Sequence, residues 1–339
     1  MSGSIRRFDF LALGTQCVVA IPDGLDPTLP LGIAMEQLDL LESLASGFDP
    51  NSEVRRLSDN SDGEAHLATH DLIEIVEIAK LAGSITGGMC DFSIGAEVLK
   101  LGLRDRKNPS GRQGQFEDDA DVPVPKVIAT TVPGYERILV DRENSTITIP
   151  KGARLDLHSV SKSFYADRIA AMISETFSSP VLVGLGGDIA VRQASDSEPI
   201  EFCVEVLTGA SSRQISQKIF LLQGGMATSG VFRPVGVKGD ELGQPHIIDP
   251  KTMRVTKGGP LSVTFAAEHA WIANAFSTAT VACGLGANAY AASIGLPCLV
   301  VSEDHGMNCY SGWPVPAEID PGSAASPTWN PTALEGVLA

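Results

Sequence analysis

The sequence predicts an α+β fold, in which antiparallel sheets carry packed helices. Three observations lead there. The stretch "YERILV-DREN-STITI" sets two β-rich runs around a polar turn, which reads as a hairpin. Further β-rich runs then follow one another closely ("PVLVGLGGDIAVR", "EFCVEVL", "QKIFLL"). Helical patterns are mixed with these hairpins, unlike the regular alternation of a doubly wound parallel sheet. The chain has 339 residues, 43% of them hydrophobic, which is ample for a large core.

Taken in order, "RRFDFLALGTQCVVAI" is rich in β-formers (Phe8, Phe10, Val18, Val19, Ile21) and reads as the first strand. Its two Arg, apolar run and Cys17 superficially resemble a signal peptide. Asp9 interrupts the run, however, and Gly14, Thr15 and Gln16 precede the Cys, so that reading is set aside. Leu38, Leu41 and Ala45 then mark a short helix that ends at the breakers Gly47 and Pro50. Leu72, Ile75, Val76 and Ala79 fall at i, i+3, i+4 and i+7, a helix with Thr69 as its N-cap. Residues 104–126 are charged, rich in Pro and Gly, and aperiodic, which predicts a surface excursion or mobile loop. After the hairpin, "LDLHSVSKSFYADRIAAMISETF" runs from a strand end through Ser caps into a helix. "LSVTFAA" precedes another, "AEHAWIANAFSTATVACG". Residues 1–302 are therefore expected to form one unit, open to division into two lobes around the loop, with 303–339 an extended or disordered tail.

Composition excludes several classes. Against 25 basic residues stand 41 acidic ones, a net charge of −16, and no Lys/Arg cluster stands out. Such a surface repels phosphate backbones, so nucleic acid is not an expected partner. The six Cys form no CxxC pair, which offers neither a zinc site nor a disulfide framework and suits a reducing compartment. No window holds 18 uninterrupted apolar residues, so no membrane span is expected and the chain reads as cytoplasmic.

Some motifs fail on their own terms. "GLGGD" (184–188) lacks the remaining glycine of a dinucleotide fingerprint and reads as a turn that allows close backbone approach. His66 and His70 have i, i+4 spacing but lie in the polar lead-in to the helix, with no third ligand suggested. "SVSK" (159–162), "SDN" (58–60) and "TSG" (228–230) echo penicillin-binding enzymes, but in the wrong order and without the leading Lys of the third element.

The remaining stretches make sense together. "LGT" (13–15), "FDPNSEVRRL" (48–57), "TGGMCDFSIG" (86–95), "LDLHSVSKSFYAD" (155–167), "VGLGGDI" (183–189), "ATSG" (227–230), "HIIDP" (246–250) and "ANAFSTA" (273–279) occur in one order. In that order and at these spacings the chain resembles the FAD:protein FMN transferases, the ApbE-type flavin transferases, over roughly residues 10–302.

The resemblance implies transfer of FMN from FAD to a Thr or Ser hydroxyl of a target flavoprotein, with release of AMP and assistance from Mg²⁺. Phosphoryl transfer of this kind needs a cation for the pyrophosphate, in-line alignment and a base. Carried across, Leu13 stands where the family usually has Met, and Phe48 where it often has Tyr, an aromatic face for the flavin. Met89, Cys90 and Asp91 replace Ala-Phe-Asp and keep the carboxylate that contacts FAD. Asp156, Lys162, Thr228 and Ile248 line the cofactor by the same correspondence, and His246 is the implied proton acceptor.

Asn274 and Thr278 are four apart, on one helical face. The family has Asp and Thr there, which hold Mg²⁺ together with the backbone carbonyl at Ser159. Here the Asp is Asn, a neutral ligand for a hard cation, so Asn274→Asp is expected to tighten the ion. His158, Ser159 and Ser163 also replace smaller residues, adding bulk where backbone nears cofactor. Two alternatives accompany the transferase: an FAD-binding protein with impaired catalysis, and an FAD pyrophosphatase giving FMN and AMP.

Overall fold

The computed structural model describes residues 4–101, 134–195, 197–208, 215–230, 246–256, 258–302 and 306–315. The chain opens with strands β1 (Ile5–Ala12) and β2 (Thr15–Pro22), a hairpin in place of the single strand expected. Its two-residue turn has φ of 53° at Leu13 and 70° at Gly14. A Leu in that region is uncommon, so Gly14 alone signals the turn in the sequence.

Helix α1 (Thr28–Ala45) begins well before the apolar residues that mark it, with Pro30 in its first turn, where a missing N–H costs little. Helix α2 (Glu53–Asp59) follows the breakers Gly47 and Pro50, an element the sequence pattern does not mark. Strand β3 (Ala65–Leu67) and helix α3 (His70–Ile85) follow, and the Thr69 hydroxyl accepts the Leu72 N–H at 3.3 Å, the predicted cap. Beyond α4 (Gly95–Lys100), the expected loop 104–126 lies outside the described residues. The predicted hairpin is β4 (Leu139–Asp141) with β5 (Thr146–Thr148), and β3 pairs on the other side of β5. Helix α5 (Ser161–Phe177) starts at Val160 without a side-chain cap, not through Ser caps.

The remaining strands are β6 (Val181–Leu185), β7 (Asp188–Arg192), β8 (Phe202–Thr208), β9 (Ile215–Leu221), β10 (Gly224–Gly230), β11 (Ile248–Asp249), β12 (Arg254–Val255) and β13 (Ser262–Ala267). Helices α6 (Ala270–Ala282) and α7 (Ala287–Ile294) precede β14 (Cys298–Val301) and β15 (Met307–Tyr310). Eight strands form one antiparallel sheet in the order β1-β2-β6-β7-β10-β13-β14-β15. The predicted α+β class is the one observed.

Alternation along the central strands splits the core in two. Val181, Val183 and Leu185 join the cluster formed with α1, α3, α5 and α6, while Leu182 and Val191 face the other way. On that second face lies the β8–β9 hairpin, which contributes Phe202, Val204, Ile219 and Leu221. Covered on both sides, β6 is buried throughout. The first cluster holds Leu38, Ile73, Val183 and Phe265 together, so one core spans both halves of the chain. Residues 306–315, expected in the tail, belong to the fold: β15 pairs with β14 and Trp313 is buried beneath the hairpin side. Pro and Gly around Trp313 hide that role in the sequence. Residues 303–305 and 316–339 lie outside the described residues. No helix among the described residues is long and apolar enough to cross a membrane.

Candidate active site

Helix α6 is fixed at its start by two contacts. A Cβ at Gly225 would come within 2.1 Å of the Ala270 nitrogen, so the helix lies directly on β10. From α5, the buried Asp167 accepts the Trp271 N–H at 3.1 Å and an Arg192 N–H at 2.9 Å, a carboxylate at the positive end of the helix dipole. So held, α6 turns Asn274 and Thr278 into a cleft of about 310 Å³. The start of α5, the β6–β7 turn, the end of β10 and the Ile247–Ile248 segment form its other walls.

Asn274 Nδ2 donates to Asp188 Oδ1 at 2.5 Å, and Thr278 Oγ1 donates to Asn274 Oδ1 at 3.3 Å. Ser229 at the end of β10 meets Ser277 at 2.8 Å and Thr278 at 3.2 Å, which ties the strand to the helix. Thr228 bonds across to the Thr264 hydroxyl at 2.8 Å. Asp188 is only 3% exposed, and burial raises its pKa while the Lys162 ammonium and the Asn274 amide act against that rise. A cation in the first turn of α5 opposes the helix dipole, and the carboxylate across the cleft offsets that cost. Burial likewise raises the Asp91 carboxyl, opposed by the Ser93 N–H donated to it at 2.8 Å.

The cleft brings together most of the residues singled out in the sequence. Asp91, Asp156, Ser159 and Lys162 line one side, and Thr228, Asn274 and Thr278 another. His246 is exposed at the edge, next to Ile248 in the short β11 strand. In "HIIDP" the Asp249 carboxylate accepts the Lys251 N–H and the Thr252 hydroxyl, both at 2.9 Å, so that residue builds a turn.

Four predicted residues are not in the lining. Leu13 sits at the β1–β2 turn against the first core cluster. Phe48 is half-buried and meets the His158 ring edge-on at 5.6 Å, and His158 is the ring that reaches the cleft. Met89 packs beneath α6 against Ala279 and Ala282. Cys90 lies behind Ser159, its Sγ 3.7 Å from the hydroxyl, and burial pushes its thiol up to about 12. The bulk expected from Ser163 does not reach the cleft: its buried hydroxyl donates to the Val160 carbonyl at 2.8 Å. Among the acidic residues of the lining, Asp188 is the one that had no predicted role. Its signal was a carboxylate at the end of a Gly-Gly turn, flanked on both sides by strands too apolar to bury a charge without a purpose.

The match to the ApbE family model covers residues 13–300. This chain belongs to the ApbE family. Its relatives include the FAD:protein FMN transferase of Haemophilus influenzae, 25% identical over 69% of this chain and 66% of that protein. The FAD:protein FMN transferase of Escherichia coli K12 is 25% identical over 73% of this chain and 69% of its own length. This chain thus spans about two thirds of the length of these relatives. Among solved structures, the ApbE protein of Thermotoga maritima superposes with a TM-score of 0.71 at 22% identity, over 91% of this chain and 97% of that one. The flavin transferase ApbE of Vibrio cholerae gives 0.69 at 19%, over 92% and 98%. At these identities the structures establish the fold.

A divalent cation is implied by the ApbE resemblance, and the donor types present suit it. Among the described residues no three His, Cys, Asp or Glu side chains cluster to hold a metal by themselves. The amide oxygen of Asn274, the Thr278 hydroxyl and the adjoining Asp188 carboxylate are hard oxygen donors. Such a partial set matches Mg²⁺, which takes one or two carboxylates and completes its shell with water and substrate phosphate.

Proposed function

We propose that this ApbE-family chain is an enzyme that transfers FMN from FAD to a Thr or Ser hydroxyl of a partner flavoprotein. The observation that carries the reading is the convergence of motifs from distant parts of the chain on one cleft, with Lys162, His246 and the Asn274–Thr278 pair in its walls. The names of the curated relatives point the same way.

In this reading the acceptor hydroxyl oxygen attacks the phosphorus on the FMN side of the FAD pyrophosphate. The P–O bond to the AMP half breaks, and AMP leaves with the bonding pair. His246, at the mouth of the cleft where a protein chain can reach it, takes the hydroxyl proton. Lys162 offers its ammonium to the phosphates, and Thr228 and Ile248 shape the nucleotide wall. Phe48 acts through His158, whose ring it buttresses. Asp91 and Asp156 orient the bound dinucleotide through their acceptor oxygens. Mg²⁺ bound at Asn274, Thr278 and the Ser159 carbonyl would supply neutralisation of the pyrophosphate charge.

The test is incubation with FAD, Mg²⁺ and an acceptor flavoprotein carrying a Thr/Ser site, followed by denaturing electrophoresis for covalent flavin fluorescence and assay of AMP. Fluorescent acceptor with matching AMP is expected. FAD binding without either product would make the chain a flavin-binding protein. Free FMN and AMP without labelled acceptor would make it a pyrophosphatase.

A further inference from the structure

We propose that Asp188 carries the negative charge that the helix position now held by Asn274 has lost, and that it orients Asn274 for cation binding. The inference rests on the FAD-binding reading of this cleft. A carboxylate can only accept hydrogen bonds, so the group Asn274 turns toward Asp188 is its NH₂, at 2.5 Å. The amide oxygen therefore points the other way, where the Thr278 hydroxyl meets it at 3.3 Å at the cleft wall. A reversed amide would set its oxygen against the Asp188 carboxylate, so the pair holds one orientation. Asn274 is 8% and Asp188 3% exposed, and Asp188 is pinned in register opposite Ala227 at the head of β7.

The consequence is a relocated charge. An Asp on α6 would bring its negative charge from the helix, whereas here the strand brings it, one hydrogen bond away. Charge balance in the cleft supports this role. Among the described residues of the lining, Asp91, Asp156 and Asp188 face one ammonium, Lys162, and an anionic pyrophosphate entering such a wall needs a cation between. The pairing also alters the simple expectation for Asn274→Asp. That substitution alone would set two carboxylates against each other at hydrogen-bonding distance, a repulsive arrangement without the cation.

The exchange variant separates charge from position. In Asp188→Asn the amide oxygen at 188 still accepts the Asn274 NH₂, so orientation survives and only charge is lost. In Asp188→Asn/Asn274→Asp the hydrogen bond is mirrored and the charge restored on the helix. FAD is titrated by fluorescence into wild type and both variants, in millimolar Mg²⁺ and in EDTA, with thermal melts recording that each is folded. The readout is the ratio of the two dissociation constants. Asp188→Asn is expected to reduce the wild-type ratio by about ten-fold or more, and the exchange to return it to within about three-fold. A wild-type ratio in Asp188→Asn, or a folded exchange variant that stays as low as Asp188→Asn, overturns the proposal. Where Asp188→Asn melts too low to titrate, the exchange decides alone: a wild-type ratio supports the proposal and a ratio of one overturns it. A ratio of one in wild type itself would overturn the metal-assisted reading as well. A wild-type ratio above one with no response to Asp188→Asn would overturn only the charge relocation.

Discussion

At the scale of single residues, His246 and Asp91 make opposite demands on the protein. A base acts only as the hydroxyl proton is lost, so His246→Ala should lower the transfer rate about 10²- to 10⁴-fold while FAD affinity changes little. Stopped-time fluorescence of labelled acceptor and an FAD titration measure the two, and equal losses would make His246 a binding residue. Asp91 is held at a cost. Burial raises its folded pKa, so its contribution to stability is full below the unfolded carboxylate value and is lost as pH rises through the folded value. Asp91→Asn keeps an acceptor for the Ser93 N–H but removes the buried charge. The variant should therefore gain stability over wild type as pH climbs from 4 toward 8, and lose FAD affinity. Urea melts across that range check it; an advantage that shrinks toward neutrality would contradict the assignment.

Among the elements, α6 decides the site, because both Asn274 and Thr278 ride on it and its start has almost no freedom. Gly225 is the point of contact: with the Ala270 nitrogen 2.1 Å from any added Cβ, Gly225→Ala must push the helix off β10. Overpacking of this kind costs about 1–3 kcal/mol, and backbone against backbone belongs at the upper end. The expected outcome is a lower urea midpoint together with loss of Mg²⁺-dependent FAD binding. A normal midpoint with normal binding would mean that α6 has room to shift. The same element shows where sequence patterning succeeds. The i, i+4 spacing of Asn274 and Thr278 predicts their shared face, and the helix delivers it. It could not show that the amide would meet a carboxylate from β7, since residues 188 and 274 are joined only by the stacking of α6 on the sheet.

For the whole molecule, the segment just after β15 matters more than its position suggests. Trp313 is 4% exposed, packs with Phe202, Leu221 and Val301, and donates its indole N–H to Gln217 at 3.0 Å. It closes the core between the eight-stranded sheet and the β8–β9 hairpin. Trp313→Ala should cost about 3–5 kcal/mol, read as a fall in the urea midpoint. A change under about 1 kcal/mol would return residues 306–315 to the status of a tail. The central strands below it explain why the fold tolerates so little helical cover on one side: the hairpin buries that face in place of helices.

Local signals determined much of this protein. The α+β class, the 72–79 helix face with its Thr69 cap, the β4–β5 hairpin, the Gly-Gly turn and the ordered motifs of the ApbE family are all written in neighbouring residues, where period, capping and turn chemistry act over a few positions. Only the tertiary structure decided that Leu13 and Gly14 turn a strand into a hairpin and that Phe48 reaches the cleft through His158. The same holds for Met89 supporting α6 from below, and for Asp188 standing beside Asn274. These outcomes depend on which surfaces meet when helices are laid on a sheet. Contact between residues 86 positions apart is set by the packing of the core, and no local pattern in either segment encodes it.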